Sequence, residues 1–114
     1  MSSTTVTRGN AHETFYVVPT LDNTSNSLAA NTTTSVTYSL PGLQTTDIVT
    51  VIGYNGSQTA GVVIAEADCL TANVLSIQFG NLTATATLKP ASGAYTIQVV
   101  RLEGPAPALS LIHI

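Results

Sequence analysis

Few side chains here could do covalent or acid–base chemistry, and their spacing decides what each is worth. His12-Glu13 matches the first half of the His-Glu-x-x-His pattern that grips zinc on a helix. The second histidine is missing, and the surrounding residues read as strand or loop. His113 is the other histidine, far along the chain, and two histidines without a cysteine cluster build no zinc centre. Glu66 and Asp68 form a close carboxylate pair. Two residues apart on a strand they share a face, a spacing that suits a shared cation or an acid and a base. The plainer reading is a solvated strand face, or charges that guard an exposed edge against wrong pairing.

Cys69 alternates with Val63, Ala65 and Ala67 and reads as a small buried hydrophobe. No neighbouring base or positive setting marks it as a nucleophile. There is no Gly-x-Ser-x-Gly elbow, no phosphate-cradling glycine loop and no Asp-x-Asp-x-Asn-Gly calcium loop. Asp22 and Asp47 suit turns and strand starts. Asn-x-Ser/Thr triplets at Asn23, Asn31, Asn55 and Asn81 read as loop chemistry. The expectation is therefore no catalytic residue, no cofactor and no metal.

Composition narrows the field further. The 114 residues fit one domain, and only 8% are charged, against about 25% in an ordinary soluble domain. Thr, Ser and Asn fill the gap, while the 44% hydrophobic content is enough for a core. A net charge of −3, with three fixed cations, cannot neutralise a run of phosphates, and 5% aromatics offer no stacking platform for bases. No apolar run approaches the roughly 20 residues of a membrane span. Met1 to Thr5 lacks the features of a signal peptide, so synthesis in a cytoplasm is expected, and one cysteine means no internal disulfide.

The elements that must position these residues read as β throughout. Residues 14–18 form a short run stopped by Pro19. Residues 35–40 alternate, with Val36, Tyr38 and Leu40 on one face. Residues 47–54 are apolar on both faces, as in a central strand covered on each side. Asn55-Gly56 signals a turn before a long strand over residues 61–70. Residues 74–79 place Leu75, Ile77 and Phe79 together. Gly80-Asn81 then reads as a tight hairpin into a strand over residues 82–88, and residues 95–101 end the series. The last four strands look like a continuous antiparallel meander. The class is all-β, a compact antiparallel β-sandwich or small barrel of about seven strands with extended N- and C-terminal arms. Residues 1–11 form a flexible arm, residues 12–102 the domain, and residues 103–114 a proline-containing, apolar arm. The final Ser-Leu-Ile-His-Ile also reads like a translated sequencing-adapter fragment.

Three stretches carry a resemblance: Ser27-Leu28-Ala29-Ala30-Asn31-Thr32-Thr33, Tyr38-Ser39-Leu40-Pro41-Gly42-Leu43 and Asp47-Ile48-Val49-Thr50-Val51. Gly61-Val62-Val63-Ile64, Leu75-Ser76-Ile77-Gln78-Phe79 and Tyr95-Thr96-Ile97-Gln98-Val99-Val100-Arg101 continue it. From Thr20 to Arg101 the chain resembles small β proteins encoded among the structural genes of tailed bacteriophages. The resemblance implies a capsid decoration, or cement, protein on the outer surface of the virion, bound to the major capsid protein and itself oligomeric, preferably a trimer. Neither nucleic acid nor membrane is an expected partner. Arg8 and His12 at one end, and Leu109, Leu111, Ile112 and Ile114 at the other, are the expected partner contacts. The alternative is a tail, fibre or adhesion module that binds host glycans. Most of the six aromatic residues fall on predicted core faces, which leaves Tyr54, beside a turn, as the candidate platform.

Overall fold

The two cleanest alternations in the chain, Leu75, Ile77 and Phe79 in one segment and Tyr95, Ile97 and Val99 in another, become the two central strands. All six side chains are fully buried. A strand with one apolar face must cover it, and here the two faces cover each other, each buried side chain contributing roughly 1.5–3 kcal/mol. The computed structural model describes residues 11–102, with side chains from Glu13 onward. Its strands are β1 (Ala11–Val17), β2 (Thr20–Leu21), β3 (Thr33–Ser39), β4 (Ile48–Tyr54), β5 (Val62–Thr71), β6 (Val74–Asn81) and β7 (Gly93–Leu102). They form two antiparallel sheets. In the first, β7 is flanked by β4 on one side and by β1 and β2 on the other; in the second, β6 lies between β3 and β5. The architecture is a β-sandwich. Phe79 and Tyr95 meet edge to face between the sheets, with ring centroids 6.5 Å apart.

Several sequence expectations need correction. Residues 82–88 are not a strand, and Gly80-Asn81 is not a hairpin: β6 runs on through both, and only Leu88 makes an isolated bridge, to Leu28. The Ala and Thr side chains at residues 84–87 are all exposed. They are too small to reward burial, and the buried Asn81 side chain instead gathers this segment around itself. The meander therefore fails: β5 and β6 form a hairpin, after which the chain crosses to the other sheet. Residues 47–54 do not form a central strand either. β4 pairs only with β7, and Ile48 and Ile52 on its outer side are exposed.

One strand has a phase that simple alternation misses. Bulges in β5, between Ile64 and Glu66 and between Asp68 and Thr71, shift its facing. Val62, Ile64, Ala67 and Cys69 turn inward, whereas Val63 and Ala65 are exposed, so these last two do not share a face with Cys69. On the other sheet, β1 stops where Pro19 was expected to stop it. The register with β7 nevertheless continues past the proline, because Val17 faces Ile97 and Thr20 faces Ala94. Pro19 cannot donate a ladder bond, but its carbonyl accepts one from Tyr95 N at 3.0 Å.

Candidate functional site

Buried polar side chains fix the loops at the ends of the sandwich. Asn81 Nδ2 donates to the carbonyls of Leu28 (3.0 Å) and Ala86 (2.8 Å), and Asn81 Oδ1 accepts from Thr83 N and Oγ1. Asn23 Oδ1 accepts from the Tyr38 hydroxyl and from Asn26 Nδ2, while Asn23 Nδ2 donates to Ala91 O. Gln58 joins the same region, donating to Tyr95 Oη and accepting from Ala91 N and Thr59 N. Burial pushes the Tyr38 and Tyr95 phenols above their ordinary range, so both are hydrogen-bonding hydroxyls at any physiological pH. With Asn23 and Asn81 buried, two of the four Asn-x-Ser/Thr triplets are structural pins.

At the other end, Asp47 and Arg101 form a two-point ion pair at 3.0 and 2.7 Å. The Asp47 side chain is fully buried, and its Oδ2 also accepts from Gln44 N. The hydrogen bonds from Arg101 hold the Asp47 carboxyl below the usual carboxylate range. Arg101 lies 5.3 Å above the Phe15 ring and donates to Gly42 O. An apolar groove of about 190 Å³ opens here between β1 and the loop at residues 40–43. Its charged wall, Arg101, is already engaged with Asp47.

The outer faces of the two sheets differ sharply. On the first, nine side chains lie across β1, β7 and β4, six of them in two rows set by the register: Thr14, Val100 and Ile48, then Tyr16, Gln98 and Thr50. Beyond these rows stand Val18, just past the end of β1, Thr96, and Ile52 in the β4 bulge, where Gly53 is the residue paired with Thr96. None is charged. Tyr16 is 60% exposed, Val18 54%, Ile48 52% and Ile52 54%. Gln98 Nε2 donates to Tyr16 Oη at 3.3 Å. On the second sheet, β3 presents Thr33, Ser35, Thr37 and Ser39, and β5 sets Glu66 beside Gln78 and Asp68 beside Ser76.

The side chains singled out from sequence are dispersed. Glu66 and Asp68 do share a face on an edge strand, Glu66 is exposed, and Asp68 Oδ1 is buried without a hydrogen-bond partner. Cys69 is buried, with its sulfur 3.1 Å from the Thr71 carbonyl. Among the described residues, no three His, Cys, Asp or Glu side chains gather as a metal site would require. Tyr54 is not a platform: its ring packs 4.7 Å from that of Tyr95, its hydroxyl donates to Ser92 O, and Gly56 and Gly93 lie against it. A Cβ at either glycine would come within 2.8 Å of Tyr54. Of the expected partner contacts, His12 lies in β1 but its side chain is outside the described residues, as are Arg8, Leu109, Leu111, Ile112 and Ile114 entirely.

The array on the first sheet went unnoticed in the sequence. Its signal was there in the alternation of Thr14, Tyr16 and Val18 and of Ile48, Thr50 and Ile52, but without the strand pairing nothing says that these two sets share one surface. Comparison with known proteins finds no matching family model, curated relative or solved structure.

Proposed function

We propose that the chain is a virion structural protein, a capsid decoration or cement protein that binds the outer surface of a phage head and stabilises the shell. The observation that carries this reading is the uncharged array on the first sheet. Four half-exposed apolar or aromatic side chains on one sheet face suit burial against protein, and the lack of cations there suits neither phosphate nor an anionic membrane. The strand and turn pattern from Thr20 to Arg101 points the same way. In this reading the major capsid protein is the partner, met from the two ends by Arg8, His12, Leu109, Leu111, Ile112 and Ile114, and a homotrimer at three-fold positions is the preferred form. Binding the mature lattice more tightly than the loosened one is what stabilises the shell. No catalysis is involved.

The test is co-sedimentation of the purified protein with heads assembled from the major capsid protein of the same genome. Saturable binding at a fixed number of copies per capsomer, and resistance of loaded heads to heat, are the expected results. Mature heads that neither bind the protein nor gain stability from it would overturn the reading. Light scattering on the free protein asks separately whether its mass is three times 11.7 kDa.

A second reading has one observation in its favour. Tyr16 is the exposed aromatic, and the Gln98 amide stands beside it. An aromatic ring with an adjacent amide on an uncharged face is the chemistry of a glycan platform. Glycan-array binding that disappears in Tyr16→Ala would establish this module in place of the decoration protein.

A further inference from the structure

We infer that the uncharged face of the first sheet is where two copies of this chain meet, face to face across a two-fold axis running along β7. The inference rests on the reading of that face as a protein-contact surface and names its occupant. Charge and the sizes of the facing side chains argue for a second copy.

Two copies of an acidic chain repel, and a face that meets its own image meets its own charges. Apposing two copies of the second sheet in the same way would lay Glu66 and Asp68 of each over Ser35 and Thr37 of the other and cover four carboxylates with no cation to meet them, whereas the side chains of the first face carry no charge at all. Glu13 and Arg101 belong to the same strands but have the parity of Phe15 and Val99, which lie on the inner side. The first face can therefore pack on itself without an electrostatic penalty.

A two-fold axis along β7 lays the β1 column of one copy over the β4 column of the other, row by row. Thr14 then faces Ile48 and Tyr16 faces Thr50. In both pairs a large side chain meets a small one, and each contact occurs twice, as an isologous interface requires. Aligned sheets packed about 10 Å apart and rotated by about 30° interdigitate in this way.

The area sets the strength. Three strands about 4.8 Å apart and five residues at about 3.4 Å give a platform of roughly 14 by 17 Å. That is small beside the roughly 800 Å² each partner buries in a standard interface, so a dissociation constant in the micromolar range or weaker is expected. On a decorated shell, where neighbouring copies sit at effective concentrations of the order of millimolar, such a contact would be filled and would link units on adjacent three-fold positions.

The experiment is sedimentation velocity on the isolated protein over a concentration series, without shells. Wild type is expected to pair reversibly, doubling the mass of the unit it forms at low concentration, whether one chain or the trimer. Tyr16→Thr leaves small opposite small, and Thr50→Tyr sets large against large, so each should weaken the dimer by about tenfold. The double variant exchanges the two side chains, restores large against small, and should return to within about threefold of wild type. Tyr16→Lys should abolish the dimer, while Thr37→Tyr on the second sheet should leave it intact. All these positions are exposed, and unchanged circular dichroism and melting would confirm the fold of each variant. A protein that stays monomeric at millimolar concentration, an association indifferent to these substitutions, or a double variant no better than the singles would each overturn the inference. Shell binding by a protein that does not self-associate sinks this inference and leaves the decoration reading standing. Self-association without shell binding does the reverse.

Discussion

The two sheets are built alike and finished differently. Each has three strands' width and a central strand whose inward side chains are fully buried, β7 in one and β6 in the other, yet their outer faces have little in common. The first sheet keeps its charge off its outer face: Asp47 is buried against Arg101 at the end of the sandwich, and the surface shows Tyr16, Val18, Ile48 and Ile52. The second wears its carboxylates outside, with Glu66 and Asp68 on β5 and a row of Thr and Ser on β3. In a chain that is 8% charged, two carboxylates placed on the first face would be enough to remove what lets it pack on itself. Where the few charges sit matters more here than how many there are.

The largest expected effect comes from breaking what keeps the two faces apart. The segment between β6 and β7 carries the chain from one sheet to the other, and Asn81 fixes its start through four hydrogen bonds, two of them accepted by backbone carbonyls. Asn81→Ala leaves the Leu28 carbonyl with the Leu88 N–H as its remaining donor, takes from Thr83 N its acceptor, and frees the residue 82–88 loop. A loss of about 3 kcal/mol, read from the urea midpoint, is expected. Asn31→Ala is the contrasting case within the same class of triplet. Asn31 is exposed with φ of 56°, so only the small cost of holding alanine in a left-handed conformation should appear.

The contrast between these two asparagines also explains how far the sequence could be read. Strand alternation identified the all-β class and the inward residues of β3, β6 and β7, because period two is a local property. Asn81 was read as the tip of a hairpin because Gly-Asn is a turn signal in isolation. Its role as a pin depends on Leu28, 53 residues away, which no local pattern reports. β4 was misplaced for the opposite reason. An edge strand that is apolar on both sides looks like a central strand until its outer side is known to be an exposed surface. The bulges in β5 each add one residue and invert the pattern, so Val63 and Ala65 were assigned to the wrong side. The candidate site suffered most, since its nine side chains come from three segments that only the register brings together.

A smaller effect tests the different fates of the carboxylates. Asp47 has its folded pKa lowered by Arg101, so its contribution to stability is complete above the unfolded value of about 4 and is lost as pH falls through the folded value. Wild type should therefore lose stability steadily below about pH 4, and Asp47→Asn should be less stable at neutral pH with a flatter acid limb. Urea unfolding between about pH 2 and 7 reads both curves. Glu66→Gln, on the exposed face, should leave the acid limb where it is. A profile that follows Glu66 and ignores Asp47 would mean that the outward carboxylates govern acid stability, and the contrast between the sheets would lose its energetic basis.

The smallest effect separates the two things that distinguish the faces, since the first is both uncharged and apolar. Glu66→Gln with Asp68→Asn removes the charge of the second face and leaves its Ser and Thr rows in place. Asp68 Oδ1 has no hydrogen-bond partner, so exchanging its carboxylate for an amide should add about 1 kcal/mol of stability, seen as a modest rise in the urea midpoint. Self-association of the double variant should match wild type, because hydroxyl-bearing side chains already hydrogen-bond water and gain little by trading it for one another. Val63 and Leu70 are exposed apolar side chains on this side, but they lie toward opposite ends of β5 and form no continuous array. If the neutralised face did associate, charge alone would have kept it single, and the apolar side chains of the first sheet would not be the cause of its adhesion. If it does not, Tyr16, Val18, Ile48 and Ile52 supply the contact, and the absence of charge only permits it.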